Sequence, residues 1–201
     1  MEELEAINML LRLIGSTAIN DIETAHPDAA NARATLDRIR KRVHKRGWWF
    51  NIDYGVIFQP DPTTKEIIIA KEIVSFIGES KFQYVVRGGK LYDKVLQTFQ
   101  FEEDITAHRL TRILEWDDMP ATMQEYCAYF AAVEYVRDEL EDASKIRDLK
   151  ESAGIALIDL KQDDLEQGQY NVFNTSRIRQ ARAGVQPYTR SNKRFFGDPD
   201  V

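Results

Sequence analysis

Asn31–Ile52 reads NARATLDRIRKRVHKRGWWFNI, and its period changes partway along. In the first part Ala32, Leu36, Ile39 and Val43 recur at helical spacing, which sets all four on one face. The other faces carry Arg33, Arg38, Arg40, Lys41, Arg42, Lys45 and Arg46. Gly47 suits the position just past a helix end, where a left-handed backbone is open to glycine. Cations in the last turn favour the negative end of the helix dipole. Trp48, Trp49 and Phe50 then shift the pattern from helix to strand.

Towards the N-terminus, Leu4, Ile7, Leu11 and Ile14 predict a helix over about residues 2–14, stopped by Gly15. A loop with the turn signal His26-Pro27-Asp28 follows, and Asp28 is the expected cap of a second helix over about 29–46. Towards the C-terminus, residues 48–116 hold strand-like runs: WWFNIDYGVIF, EIIIAKEIVSFIG, FQYVVRG, KLYD, TFQF and HRLTRILEW. Gly88-Gly89 between Tyr84–Arg87 and Lys90–Tyr92 is the clearest hairpin turn, and Asp61-Pro62 marks another.

Helix returns at Asp118-Met119-Pro120, where Asp117 or Asp118 can cap and Pro120 suits the first turn. Met123, Tyr126, Cys127, Phe130, Val133, Val136 and Leu140 form one apolar face, and Ile146, Leu149, Ala153, Ala156, Leu157 and Leu160 a second. A single helix from Pro120 to Gln167 would be ~70 Å long at ~1.5 Å per residue. Two helices with a turn near Glu141–Ser144 are expected instead, capped by Asp142 or Ser144, with Gly168 closing the second. The expected fold is α+β. An antiparallel helical bundle (1–47 and 117–168) carries an inserted antiparallel β domain (48–116). An arm follows over 169–201, with weak apolar periodicity, expected to be extended and ordered on a partner; the alternative is a disordered tail.

The chain has 201 residues, enough for one real core or two small ones, and its 43% hydrophobic and 30% charged content is that of a globular protein. A net charge of −6 supplies no global basic field for gathering nucleic acid. The charge is unevenly spread: residues 169–201 carry a net +4, while 134–166 carry a net −6. Cys127 is the only cysteine, so no intrachain disulfide is possible, and its setting YCAYF is that of a helix core. The start, MEELEAINMLLRLIG, lacks the basic region and apolar core of a signal peptide, and no run reaches the ~20 apolar residues of a membrane span. The expectation is a soluble chain made in the cytoplasm, without membrane insertion.

The inventory of chemistry is thin. His26, His44 and His108 lie far apart, and no metal-ligand, redox, phosphate-cradling or nucleophile-elbow motif occurs, so no catalytic residue, metal or cofactor is assigned. Carboxylate clusters exist at Glu102-Glu103-Asp104, Asp117-Asp118, Glu139/Glu141/Asp142 and Asp163-Asp164. A glycosidase needs two carboxylates held across a sugar, and adjacency in sequence does not supply that. The basic helix could contact phosphates, but the acidic whole favours pairing with the 134–166 acids, in the same subunit or a neighbour.

Several blocks in fixed order then resemble a known family. They are Asp28-Ala29-Ala30-Asn31-Ala32-Arg33, Arg46-Gly47-Trp48 with Phe50-Asn51-Ile52, Tyr84-Val85 with Arg87-Gly88-Gly89 and Tyr92-Asp93, Asp118-Met119-Pro120, and Gly168-Gln169-Tyr170-Asn171. Together, over about residues 3–173, they resemble the tail tubular protein A family, the adaptor or gatekeeper ring proteins of short-tailed podophages. The chain departs from the pattern at Trp49, where a smaller residue is usual, and in its arginine-bearing arm beyond Tyr170-Asn171.

The resemblance implies a helical bundle with an inserted β domain, and makes 31–52 the junction between them. It implies a structural virion protein of the short tail, assembled in the host cytoplasm. Twelve copies would form a connector ring beneath the portal protein, with a tail nozzle protein below and tail fibres near that junction. Genomic DNA would pass through the ring only in transit, during ejection. Under this reading Arg33, Arg40, Lys41, Arg42 and Arg46 serve subunit contacts, and the 134–166 acids face the lumen or a subunit interface. Arg177, Arg179, Arg182, Arg190 and the Phe195-Phe196 patch dock on the portal or an adjacent subunit. The alternatives are a tail-associated glycan hydrolase acting on host surface polysaccharide, and a DNA-binding module.

Overall fold

A computed structural model describes residues 1–23, 26–78 and 83–167 of the chain. The fold is α+β, as expected, with four helices and antiparallel strands. The expected arm, with Arg177, Arg179, Arg182, Arg190, Phe195 and Phe196, lies outside the described residues.

Helix α1 (Glu3–Leu13) buries Ala6, Ile7, Leu10 and Leu11. Gly15, at φ +78°, takes the left-handed conformation that ends it. Helix α2 (Pro27–His44) starts earlier than the sequence suggested. His26 is the cap, its Nδ1 accepting from the Ala29 N–H at 3.4 Å, and Pro27 takes the first helical position, where no N–H is needed. Asp28, the expected cap, instead accepts a hydrogen bond from the Ser16 hydroxyl at 2.8 Å. The face read from the periodicity, Ala32, Leu36, Ile39 and Val43, is buried. Gly47 follows at φ +76°.

Helix α3 (Ala121–Glu139) packs against α1, α2 and α4 (Ala143–Gln167). Its buried Cys127, Ala128, Ala131 and Ala132 are small, so neighbouring helices approach closely. The break before α4 falls at Glu141, which has φ +53°. Asp142 caps α4, its carboxylate accepting from the N–H groups of Ser144 and Lys145 at 3.0 and 3.2 Å. The Thr122 hydroxyl, at the start of α3, donates to Asp163 near the end of α4 at 2.7 Å, which marks the pair as antiparallel.

Between α2 and α3 the chain forms β1 (Ile52–Asp53), β2 (Val56–Phe58), β3 (Ile73–Gly78), β4 (Tyr84–Arg87), β5 (Lys90–Asp93) and β6 (Ile105–Arg112). Strand β6 is central, with β3 along one side. Along the other run β1 and β2 in one unbroken antiparallel register, from Ile52 opposite Thr111 to Phe58 opposite Ile105, parted only by Tyr54-Gly55. The β4–β5 hairpin turns on Gly88 and Gly89, at φ +58° and +75°.

Four strand expectations are corrected. Trp49–Asn51 is a 3₁₀ turn, because the Asn51 side chain captures the Trp48 N–H at 2.7 Å. Ile67–Ile69 and Thr98–Gln100 make only isolated bridges, and the last strand runs over 105–112, so that Trp116 opens a second 3₁₀ turn instead of ending a strand. Two apolar cores result. One lies among the helices, and the other contains Ile67, Ile69, Leu91, Phe101, Ala107 and Leu110. Both belong to one compact unit, residues 1–168.

Candidate functional site

The seam between the helices and the strands is built around Asn51. Its side-chain oxygen accepts from the Trp48 N–H at 2.7 Å, and its amide nitrogen donates to His44 O at 3.1 Å and to Arg112 O at 2.6 Å. One buried side chain thus ties the end of α2, the 3₁₀ turn and β6 together. Trp48 is buried in the helical core and its indole N–H donates to Val43 O at 3.0 Å. The Trp49 N–H is held by Asp164 of α4 at 2.9 Å. Arg109 of β6 lies over Gly47: a Cβ there would sit 2.5 Å from its guanidinium. The resemblance placed the junction at 31–52, but the part played by Asn51 was not assigned from the sequence, although it was visible as a lone polar residue in an apolar run.

The α2 cations have partners within the chain. Arg33 pairs with Glu23 at 3.2 Å, and Lys41 with Asp37 at 2.5 Å. Arg42 reaches Glu134 at 3.0 Å and lies over the Phe130 ring, 5.1 Å from its centroid. Arg46 lies over the Trp48 ring at 5.0 Å. Arg40 is largely covered, and its guanidinium contacts Asp37, Glu115 and Leu114 O at 2.8, 2.6 and 3.0 Å. These five residues do not converge on a single point. Arg33 and Arg40 line a groove of about 560 Å³ shared with Glu3, Ile22, His26 and Asp37, a lining of mixed charge.

Glu134 of α3 collects three of the arginines. It is buried, with Arg42, Arg38 and Arg137 at 3.0, 3.4 and 3.8 Å. The first acid of the 134–166 stretch is therefore unavailable to a lumen or a neighbour. Asp163 and Asp164 are committed to Thr122 and Trp49. Asp148, Glu151, Asp159 and Glu166 remain exposed along α4. Among the described residues no group of three or more His, Cys, Asp or Glu side chains is placed to hold a metal ion, and no helix is long and apolar enough to cross a membrane.

The arrangement suits a rigid scaffold whose basic and acidic segments are stitched to each other. The family described as tail tubular protein matches residues 4–181. Over 185 residues the chain is 29% identical to the tail tubular protein A of Klebsiella phage KP34, covering 90% of this chain and 95% of that protein. The family match runs past residue 173, where the resemblance was expected to end, and takes in Arg177 and Arg179 of the arm.

Proposed function

The chain belongs to the tail tubular protein family and is a structural component of a phage tail; on that premise we propose that it is the head-to-tail adaptor, a ring that joins the portal protein to the tail nozzle protein and forms part of the DNA ejection channel. The supporting observation is the state of the basic helix. Arg33, Arg40, Lys41 and Arg42 each pair with a carboxylate of the same chain. A conduit should not grip its cargo, and cations already neutralised offer little to a phosphate backbone, whose binding gains from each free cation. Twelve copies, tail fibres near the nozzle and assembly in the host cytoplasm complete the reading. Exposed ion pairs such as Lys41–Asp37 contribute under about 1 kcal/mol, so they can exchange partners when subunits meet.

Image averaging of the purified protein with its portal tests this. A ring of copies coaxial with the portal is expected, and absence of density at the portal's tail side overturns the reading. The isolated protein is expected to show weak, strongly salt-dependent affinity for duplex DNA at most, and to leave host surface polysaccharide uncleaved.

A further inference from the structure

Arg109 of β6 is a half-buried cation with nothing to hold. Its Nε is buried without a hydrogen-bond partner, and among the described residues no carboxylate or carbonyl accepts from its guanidinium. The two terminal nitrogens stay open to water. Its basic neighbours differ. Arg40 pairs with Asp37 and Glu115, Arg42 with Glu134, and Arg112 with Asp53. Asp164, the carboxylate on this side of the seam, is taken by the Trp49 N–H. A buried donor without an acceptor lowers stability, so Arg109 does nothing for the fold that an apolar side chain could not do. Gly47 gives it room against the end of α2, where Lys45 and Arg46 are exposed.

The same strand carries the complement at its other end. Glu102, Glu103 and Asp104 lead into β6 and are exposed. Lys65 lies 3.5 Å from Glu102, and the Gln59 amide donates to Asp104 at 3.4 Å. Glu103 has no partner among the described residues. Lys65 offsets only part of this charge, so the start of β6 is acidic, while Arg109, Lys45 and Arg46 make its far end basic. Asp104 and Arg109 stand about 17 Å apart along the strand, at about 3.4 Å per residue.

We propose that Arg109 of one copy receives the 102–104 carboxylates of the next, and that this ion pair is part of the subunit contact. The proposal rests on the ring reading and deepens it. A head-to-tail contact needs two different surfaces on each chain, and the two ends of one strand supply them. The ring reading also says what kind of anion Arg109 takes. An unpaired cation on the channel wall would gain from passing phosphates, so Arg109 is covered, and by a protein carboxylate. A guanidinium and a carboxylate can pair through two parallel N–H···O bonds, which fixes the orientation of one copy on the next.

The test uses full-length chains with and without portal. Arg109→Met keeps an apolar stem and removes the charged head. Its unfolding midpoint is expected to equal or exceed that of wild type. By native mass spectrometry and sedimentation it is expected to need about tenfold or more protein for half-assembly. Arg109→Glu and Glu103→Arg are each expected to lose the ring, and the chain carrying both to regain it. Arg109→Met that lowers the midpoint or assembles like wild type, or a double variant no better than the singles, overturns the contact and leaves the ring reading standing. So does Arg109→Met that forms rings normally yet binds duplex DNA more weakly than wild type, which would make the anion a phosphate. Wild type that stays monomeric with and without portal overturns both.

Discussion

The Arg40 guanidinium on α2 lies 2.6 Å from the carboxylate of Glu115, 75 residues further along, at the point where the chain leaves the strands for α3. The Arg40 side chain is only 13% exposed, Glu115 74%. Arg40 also holds Leu114 O and Asp37. Its removal therefore strands partly buried acceptors, while removal of Glu115 strands little. Arg40→Ala is expected to lower stability by about 1–3 kcal/mol, read as a shifted urea midpoint at unchanged m. Glu115→Ala should cost under about 1 kcal/mol. Charge reversal at Arg40 would thus damage the fold itself, so Lys41 and Arg46, both exposed, are the cleaner positions for probing assembly.

Asn51 makes three hydrogen bonds from a buried side chain. Asn51→Ala takes the side-chain partner from the Trp48 N–H and from Arg112 O, while His44 O keeps the Gly47 N–H at 3.0 Å; a buried group left so costs about 1–3 kcal/mol. A loss of roughly 3 kcal/mol or more is expected. Asn51→Asp keeps the acceptor for Trp48 but sets a carboxylate against two carbonyl oxygens, so it should be no better than alanine. Thermal unfolding of the two variants checks the order.

His44 is buried, with Nδ1 2.8 Å from Arg40 O and Nε2 without a hydrogen-bond partner. Burial pushes its pKa below the usual 6.5, against the opposing pull of the Arg40 carbonyl. The unfolded chain then binds the proton more readily, so stability rises with pH. This contribution is complete above 6.5 and is lost as pH falls through the lower folded value. The melting temperature should fall as pH drops below 6.5, and His44→Gln should flatten that fall. Asp37, where burial is outweighed by hydrogen bonds from Lys41 and Arg40, and Asp61, held down by the Thr64 and Thr63 N–H groups, titrate below their usual 3.8 and add losses only further into acid.

Cys127 is buried in α3 and burial pushes its thiol up to about 12. The thiolate is the reactive form, so a disulfide reagent should leave the folded protein unmodified at neutral pH. Labelling should begin at the same denaturant concentration as loss of helical circular dichroism. Stoichiometric labelling without denaturant would contradict this packing.

Much of the architecture was legible because it is locally encoded. The α2 stripe, the Gly47 stop, the Gly88-Gly89 hairpin and the Asp142 cap all follow from spacing or from single-residue backbone preference. The misread places depend on distant partners. Trp48–Phe50 has strand composition, yet Asn51, anchored to Arg112 O, curls it into a turn. At Ile67–Ile69 the sequence shows an unbroken apolar run, and only the fold puts Ile67 and Ile69 inside and Ile68 outside without a full ladder. Charge counts showed that basic and acidic stretches exist, while the pairing of Arg42 with Glu134, 92 residues away, is tertiary.

The unbroken register that begins with Ile52 opposite Thr111, with Asn51 bonded to Arg112 O just beyond it, brings both ends of the strand-forming segment side by side. In space, the path from α2 to α3 is therefore already closed before the strands begin. The segment behaves as a graft on a continuous helical stock: what it presents could be lengthened, shortened or exchanged by recombination while the helices keep their seating. A tail component that must fit changing neighbours could vary there first, and a shortened chain in which a tight turn replaces residues 54–109 should still fold its helices.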